Sequence, residues 1–176
     1  MTTNDMVTEI LRREGWPHVS NDPLDKGGLT KGGVTRQTLA EYRGRPVSRD
    51  EVRLLSEGDA KAIYTDRYIE RPGFAMLLRR SAPNGWAEKV INLLVDYGVH
   101  SGPATAIKAL QRTMGIPADG IIGEQTTEVF LLASHQHVYR LVFGDRLRHV
   151  TNIVAADASQ GKFLRGWISR LCEFIP

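Results

Sequence analysis

Apolar residues recur at helical spacing along most of this chain. The first such segment predicts a helix over 6–14 that ends at Gly15 and is capped by Asn4 or Asp5. One face of this helix carries Val7, Ile10, Leu11 and Glu14. The charged residues Glu9, Arg12 and Arg13 fall on the other faces.

The pattern changes over 15–35, where prolines and glycines interrupt any helical period. These residues include Pro17, Pro23, Gly27, Gly28, Gly32 and Gly33. They exclude a long helix. Residues 24–35 are predicted to form a short, glycine-bent hairpin or an ordered loop, and strands are expected in this region alone.

Helical signals return after residue 35. A helix is predicted from Thr35 or Thr38 to Tyr42, with Gly44 as its stop. The next helix starts with the capping-box spacing of Ser48 and Glu51. Another begins at Ser56 and ends before Pro72; its apolar face carries Ala60, Ile63 and Tyr64. Residues 75–85 are predicted to be a connection.

The remaining chain is predicted to be helical as well. A helix from Trp86 is expected to break at Gly98 and Gly102, and a second covers 104–114. Asp119-Gly120 indicates a turn. From Glu124 onward the period is helical, with breaks near Gly144 and at 159–161, and the last helix covers 162–174. The fold class is therefore mainly α.

Composition supports a folded domain of modest basicity. Hydrophobic residues make up 41% of the 176 positions and charged residues 24%, which excludes a wholly disordered chain. The net charge of +3 favours an anionic partner or surface. No nucleic-acid motif accompanies this charge, so nucleic acid is not expected as a partner.

Several other classes of site are not expected. The single cysteine, Cys172, cannot form an intramolecular disulfide and is predicted to be a small core residue. His135 and His137 diverge on a helix, so no metal is expected. The polar first residues indicate no signal peptide. No stretch approaches the roughly 20 apolar residues of a membrane-spanning helix, and stable membrane insertion is not expected.

Glu14 stands out because it continues the apolar face of the first helix. It also lies in the last helical turn, where the helix dipole disfavours negative charge. Burial and the dipole both favour the protonated carboxyl group, which is the form that a general acid needs. The alternative is that the helix is rotated slightly and Glu14 is a solvated terminal residue.

The residues after Glu14 form a dense motif. Glu14-Gly15 is followed by an Asp-Pro pair, and then by Asp25, Gly27, Gly28, Thr30, Gly33, Val34 and Thr35. This order resembles the start of the family 108 glycoside hydrolases, which are bacterial and phage muramidases. Three features depart from the pattern. Trp16 stands where the family usually has glycine, and Lys26 stands where proline is common. The gap between Glu14 and Asp25 is also longer than in the family.

Later residues extend the resemblance. A segment similar to the family's peptidoglycan-binding region contains Leu110, Gln111, Gly115, Asp119, Gly120, Ile122, Gly123 and Thr126. The family's closing helix resembles the segment with Phe163, Leu164, Gly166, Trp167 and Arg170. The first segment is expected to be mainly helix-turn-helix core with some substrate contact.

The resemblance implies a lysozyme-like helical domain that cleaves the bond between N-acetylmuramic acid and N-acetylglucosamine. It implies that Glu14 is the acid and makes Asp25 the candidate second carboxylate, with Asp22 as a competitor. Asp25 can instead form the turn before the glycine pair. Thr30 is a candidate for orienting the attacking water, or it bonds its own backbone.

Four further residues are candidates for substrate binding. Trp16 either stacks on a sugar or closes the core. Asp96, Tyr97 and His100 precede the predicted helix break and either line a sugar cleft or are ordinary polar residues at a helix end.

The expected protein is a monomeric phage endolysin that needs no cofactor and binds bacterial peptidoglycan. Residues 4–82 are expected to form the catalytic region and residues 86–174 a binding-like region packed into the same globular unit. The protein would be made in the host cytoplasm and reach the periplasmic wall through a holin; a prophage-derived or secretion-accessory muramidase also fits. A lytic transglycosylase and a non-catalytic peptidoglycan-binding protein are the alternatives.

Overall fold

The computed structural model describes residues 1–21, 28–81 and 84–175. The fold is mainly helical, which confirms the predicted class. The chain divides into two compact units, Met1–Arg67 and Tyr68–Pro176.

The first unit begins with helix α1, Thr3–Arg13, which starts earlier than predicted. Thr2, and not Asn4 or Asp5, is the N-cap, because its hydroxyl accepts a hydrogen bond from the backbone of Asp5. The Asp5 carboxylate accepts in return from the Thr2 backbone at 2.7 Å, which completes a capping box. The helix buries Val7, Ile10 and Leu11 of the predicted apolar face, and it buries Met6 as well.

A small antiparallel sheet follows α1, with strand order β1-β2-β3. Its strands are β1 (Val19–Asn21), β2 (Leu29–Lys31) and β3 (Val34–Thr35). The hairpin between β2 and β3 confirms the strand region that the glycines predicted. Strand β1 was not foreseen, because its three residues carry no clear alternation and lie close to Pro17.

Three short helices complete the first unit: α2 (Arg36–Arg43), α3 (Arg49–Arg53) and α4 (Glu57–Thr65). The side chains of Thr35, Ser48 and Ser56 each accept a hydrogen bond from the backbone N–H three residues on. Ser48 and Ser56 therefore start their helices as predicted, and of the two predicted starts of α2 the structure has Thr35. Helix α4 packs against α1. A π-helical turn, Asp66–Glu70, directly follows α4 in the chain.

The second unit begins with a helix where a connection was predicted. Helix α5, Phe74–Arg80, covers most of the segment 75–85. The prediction was wrong because Pro83, Asn84 and Gly85 dominated the local pattern. The short helix is held by tertiary burial of Phe74, Ala75 and Leu77, which single-sequence spacing does not reveal.

Two predicted helix breaks are also wrong. Helix α6, Gly85–Ser101, continues through Gly98, where a Cβ would lie only 3.2 Å from the Pro103 Cα. Gly98 is therefore a close-packing glycine within a helix, while Gly102 ends the helix. In the same way, α9 (His135–Ala156) continues without interruption through Gly144.

The rest of the second unit packs around α6. Helices α7 (Pro103–Thr113) and α9 contact α6, and α10 (Gly161–Cys172) contacts α9; α8 covers Glu124–Leu132. Cys172 is exposed and not a core residue, because the adjacent Leu171 takes the inward-facing position. None of the helices in the described ranges is both long and apolar enough to cross a membrane.

Gln111 organises the segment between α7 and α8. Its buried amide nitrogen donates to the Asp119 carboxylate at 2.6 Å and to the Thr126 hydroxyl at 3.1 Å. Its amide oxygen accepts from the Gly120 backbone at 2.8 Å. Gln111, Asp119, Gly120 and Thr126 thus form a hydrogen-bonded turn, in which Gln111 and Thr126 are buried while Asp119 is exposed.

Candidate active site

Glu14 lies at the C-terminal end of α1, as its C-cap residue. Its backbone N–H donates to the Ile10 carbonyl at 2.9 Å, and Gly15, with φ 76°, turns the chain away. The side chain is half-buried. The end of the helix therefore fixes the position from which the Glu14 carboxyl group extends.

The turn between β2 and β3 packs against this carboxyl group. Gly32 and Gly33 form the turn with φ values of 51° and 77°. A Cβ at Gly33 would lie 3.1 Å from Glu14 Oε2 and would overlap the Tyr64 hydroxyl. Only glycine fits both the left-handed backbone and this close approach. The motif glycine thus brings the hairpin against Glu14.

Tyr64 joins α4 to the same turn. Its ring is buried, with 4% of its surface exposed, and its hydroxyl donates to the Gly32 carbonyl at 3.1 Å. Sequence reasoning placed Tyr64 on an apolar face and missed this role. The available signal was chemical, because a buried tyrosine hydroxyl has to find a partner.

Trp16 packs on the other glycine of the turn. A Cβ at Gly32 would approach the Trp16 ring to 2.6 Å, and the Lys31 ammonium lies 5.0 Å from the ring centre. Lys31 is itself fixed by donating to the carbonyls of Arg53 and Leu55, both at 2.9 Å. The half-buried Trp16 ring therefore has a defined position beside the turn.

The other two candidate catalytic residues belong to this hairpin region. Thr30 is half-buried in the middle of β2, paired with Ser20 on one side and Thr35 on the other. Asp25 and its competitor Asp22 lie outside the described residues. The structure thus brings Glu14 and Trp16 together at the glycine turn and places Thr30 in the strand that leads into it.

The predicted substrate-binding residues of α6 belong to the second unit. Asp96 is fully buried and accepts from Arg146 at 2.6 Å and from Arg170 at 2.9 Å. Burial by itself raises the pKa of the Asp96 carboxyl, but hydrogen bonds and charge from the two guanidinium groups outweigh it and hold the pKa below its ordinary value. Asp96 therefore acts as an internal counter-ion.

Tyr97 and His100 lie beside Arg146. The Tyr97 ring is fully buried, so neither it nor Asp96 offers a surface to a sugar in this arrangement. His100 is half-buried, with its Nδ1 3.0 Å from the Ser101 hydroxyl and its ring against Trp167. Burial and the nearby charges of Arg146 and Arg170 lower the pKa of His100 to about 4.

Comparison with known proteins assigns both parts of the chain. Residues 7–102 match the family described as Glycosyl hydrolase 108, and residues 105–172 match a family described as Predicted Peptidoglycan domain. The structure is similar to that of SagA from Brucella abortus, with a TM-score of 0.76 and 27% identity, covering 98% of this chain and 90% of that one. No curated protein matches.

These matches confirm the resemblance drawn from the motif. They argue against the alternative of a non-catalytic peptidoglycan-binding protein. Since the first family covers more than half of the chain and the second is a peptidoglycan domain, the substrate class follows as well. The chain belongs to glycosyl hydrolase family 108 and is a peptidoglycan hydrolase.

Proposed function

We propose that the protein is an N-acetylmuramidase that hydrolyses the β-1,4 bond between N-acetylmuramic acid and N-acetylglucosamine. The observation that carries the proposal is the position of Glu14, half-buried at the end of α1 with its Oε2 against the Gly33 turn. A general acid has to be held within hydrogen-bond reach of the oxygen that it protonates, and the turn fixes the position of this carboxyl group.

Glu14 is proposed to act as the general acid. Its proton passes to the bridging oxygen as the glycosidic bond breaks and positive charge develops on the muramic acid ring. Water then adds to the sugar and restores a proton to the enzyme, so the products are two free sugar ends. Protonation of the leaving oxygen typically contributes about a hundredfold or more to such a rate.

Asp25 and Thr30 are proposed to manage the water, and Trp16 to contact a sugar. Asp25 would activate the water or stabilise the charged ring, while Thr30 would orient it. Trp16 offers an aromatic face beside the turn that holds Glu14. These roles rest on the family motif, together with the place of Trp16 and Thr30 in the hairpin region.

The test is mass spectrometry of the soluble products from purified peptidoglycan. Wild type should release fragments with reducing N-acetylmuramic acid ends, and Glu14→Gln should release at least about a hundredfold less. Glu9→Gln, which alters another carboxyl of α1, is the matched control and should retain activity. Anhydro-muramic ends would instead identify a lytic transglycosylase, and full activity in Glu14→Gln would exclude Glu14 as the acid.

The biological role is proposed to be that of a monomeric phage endolysin. Catalysis would reside in residues 4–82 and wall binding in 86–174, and the protein would reach the wall through a holin. The family resemblance, which covers phage muramidases, supports this role. Expression in a Gram-negative host should cause lysis only when a holin is co-expressed; lysis without a holin would argue for another export route.

A further inference from the structure

Lys31 connects the hairpin of the first unit to helix α3 and to Trp16. It is the last residue of β2, directly before the glycine turn. Its ammonium group donates to the Arg53 and Leu55 carbonyls, both at 2.9 Å, and lies 5.0 Å from the centre of the Trp16 ring. One side chain therefore joins the hairpin, the end of a helix and the residue that is proposed to contact a sugar.

The ammonium group suits the end of α3. Arg53 is the last residue of this helix, and Leu54 is its C-cap. The carbonyls of a last helical turn lack partners within the helix and carry partial negative charge, so a cation that donates to them is favourable. The hydrogen bonds to the Arg53 and Leu55 carbonyls thus hold the ammonium in place, although the Lys31 side chain is only half-buried.

Strand geometry explains why Lys31 reaches this position. Leu29 and Lys31 lie two residues apart in β2, so their side chains leave the same face of the strand. Leu29 is buried, whereas Thr30, between them, leaves the opposite face. A change of the Lys31 side chain therefore acts first on α3 and Trp16, and not on the candidate water-orienting residue Thr30.

The ammonium group and the turn together restrain the Trp16 ring. A cation over an indole ring is attracted by the electron-rich face of that ring. The ring also packs so closely on Gly32 that a Cβ there would lie 2.6 Å from it. Trp16 is half-buried, so part of its surface remains open to a ligand. A side chain that is already held in place loses less conformational entropy on binding than a mobile one.

We propose that Lys31 is a positioning residue that holds the Trp16 ring ready to stack on a sugar of the glycan strand. The ammonium group acts on the substrate through Trp16 and not by direct contact. This role rests on the proposed function, in which Trp16 contacts a sugar. Loss of the ammonium group should therefore weaken glycan binding, and in the active chain it should raise KM more than it lowers kcat.

The direct test is calorimetric titration with a soluble peptidoglycan tetrasaccharide, using full chains that carry Glu14→Gln so that the ligand is not cleaved. Lys31→Met keeps the length of the side chain but removes its charge and hydrogen bonds, and it should weaken binding about three- to tenfold. Thermal unfolding verifies that each variant is folded. Normal binding by a folded Lys31→Met chain would overturn the proposal, as would a Glu14→Gln chain that does not bind the tetrasaccharide.

Arg49→Met is the matched control. Arg49 also ties α3 to the sheet, because its guanidinium donates to the Asn21 side chain at 2.8 Å. The control variant therefore loses a charge and a tether of α3, but not the cation over Trp16, and it should bind the tetrasaccharide normally. Equal weakening in both variants would assign the effect to the attachment of α3 and refute the role of Lys31.

A double-mutant cycle shows whether Lys31 acts through Trp16. Trp16→Leu should itself weaken binding, and adding Lys31→Met to it should cause no further loss, because the ring to be positioned is gone. Losses that add in the double variant would mean that Lys31 contacts the glycan itself or stabilises the fold in general. Either result would refute the positioning role.

Tryptophan fluorescence reports on the position of the ring. With Trp86→Phe and Trp167→Phe in the Glu14→Gln chain, Trp16 is the remaining tryptophan of the three in the sequence. Acrylamide should quench its fluorescence more strongly after Lys31→Met than after Arg49→Met, because the ammonium group no longer covers the ring. Equal quenching in the two variants would show that Lys31 does not hold the ring and would refute the proposal.

The two proposals fail separately in this design. Product analysis of the unmodified chain tests the muramidase, whereas binding and fluorescence of chains that carry Glu14→Gln test Lys31. Anhydro-muramic ends would refute the muramidase and leave the role of Lys31 intact. Reducing muramic acid ends together with normal binding by folded Lys31→Met would refute only the role of Lys31.

Discussion

The two units of this protein position their buried and half-buried polar groups by different means. In Met1–Arg67, the arrangement of the site depends on Gly33 having no side chain, because a Cβ there would meet both Glu14 and Tyr64. In Tyr68–Pro176, the polar interior depends on charge, because Asp96 binds two arginines inside a helical core. The first unit should therefore be sensitive to added volume, and the second to lost charge.

This difference also separates catalysis from stability. A change at the glycine turn acts on the position of one carboxyl group and should reduce activity more than stability. A change at Asp96 removes the counter-ion of the buried Arg146 and should reduce the stability of the second unit more than the activity.

The largest effect is expected from Asp96→Asn. The variant keeps the shape of the side chain but removes the charge that pairs with Arg146, which is almost fully buried. The free energy of unfolding should fall by about 3 kcal/mol, as measured by urea denaturation. Asp145→Asn is the control, because its partner Arg112 is half exposed and can be solvated, so the loss should be much smaller. Equal losses would show that burial of the cluster carries no special cost.

The next effect is expected from Gly33→Ala. The new Cβ would meet Tyr64 and Glu14 in a backbone with φ 77°, so the turn must shift. Peptidoglycan hydrolysis should fall about a hundredfold, since small displacements of catalytic groups are costly. Stability should fall by about 2 kcal/mol.

Gly44→Ala is the matched control for this variant. Gly44 has φ 64° and belongs to the same unit, but a Cβ there has no neighbour within 4 Å. It should therefore share the backbone strain and retain activity. If both variants lose the same activity, general destabilisation and not displacement of Glu14 would be the cause.

The sequence predicted the first unit best where local chemistry decides the structure. The helix starts at Ser48 and Ser56 and the stop at Gly44 follow from hydrogen bonding and from φ, and they were predicted correctly. Thr35, the N-cap of α2, was one of two predicted starts. The motif also directed attention to Glu14 and the glycine turn. Tyr64 was missed because its role depends on a contact 32 positions away in the chain, which helical spacing does not encode.

Predictions for the second unit failed where packing overrides local preference. Gly98 and Gly144 were expected to break helices, but both lie within continuous helices. Gly98 is required by the approach of Pro103 and not by the backbone conformation. Asp96 was a candidate sugar ligand because a single sequence cannot show that Arg146 and Arg170, 50 and 74 positions away, neutralise it inside the core.

A smaller effect is expected from Tyr64→Phe. The variant removes one hydrogen bond to the Gly32 carbonyl, so stability should fall by about 1 kcal/mol. Because that carbonyl belongs to the turn against Glu14, kcat should fall as well. Tyr139→Phe is a close control, since the Tyr139 ring is equally buried and its hydroxyl donates to the Phe174 carbonyl in the second unit. It should lose similar stability and no kcat; a loss of kcat in both variants, or in neither, would contradict the role of Tyr64.

The smallest effect is expected in the pH dependence of stability, through His100→Gln. Burial lowers the pKa of His100 to about 4 in the folded protein, against an ordinary value of 6.5. Between these values the unfolded chain binds a proton that the folded chain does not, so stability falls as pH falls through this window. His100→Gln should reduce, by less than about 1 kcal/mol for a half-exposed group, the stability lost between pH 7 and pH 4.5 in urea denaturation. Some loss should remain, because burial lowers the pKa values of His135 and His149 in the same direction. An unchanged loss would mean that His100 protonates equally well in both states, and thus that its burial does not disfavour the charged ring.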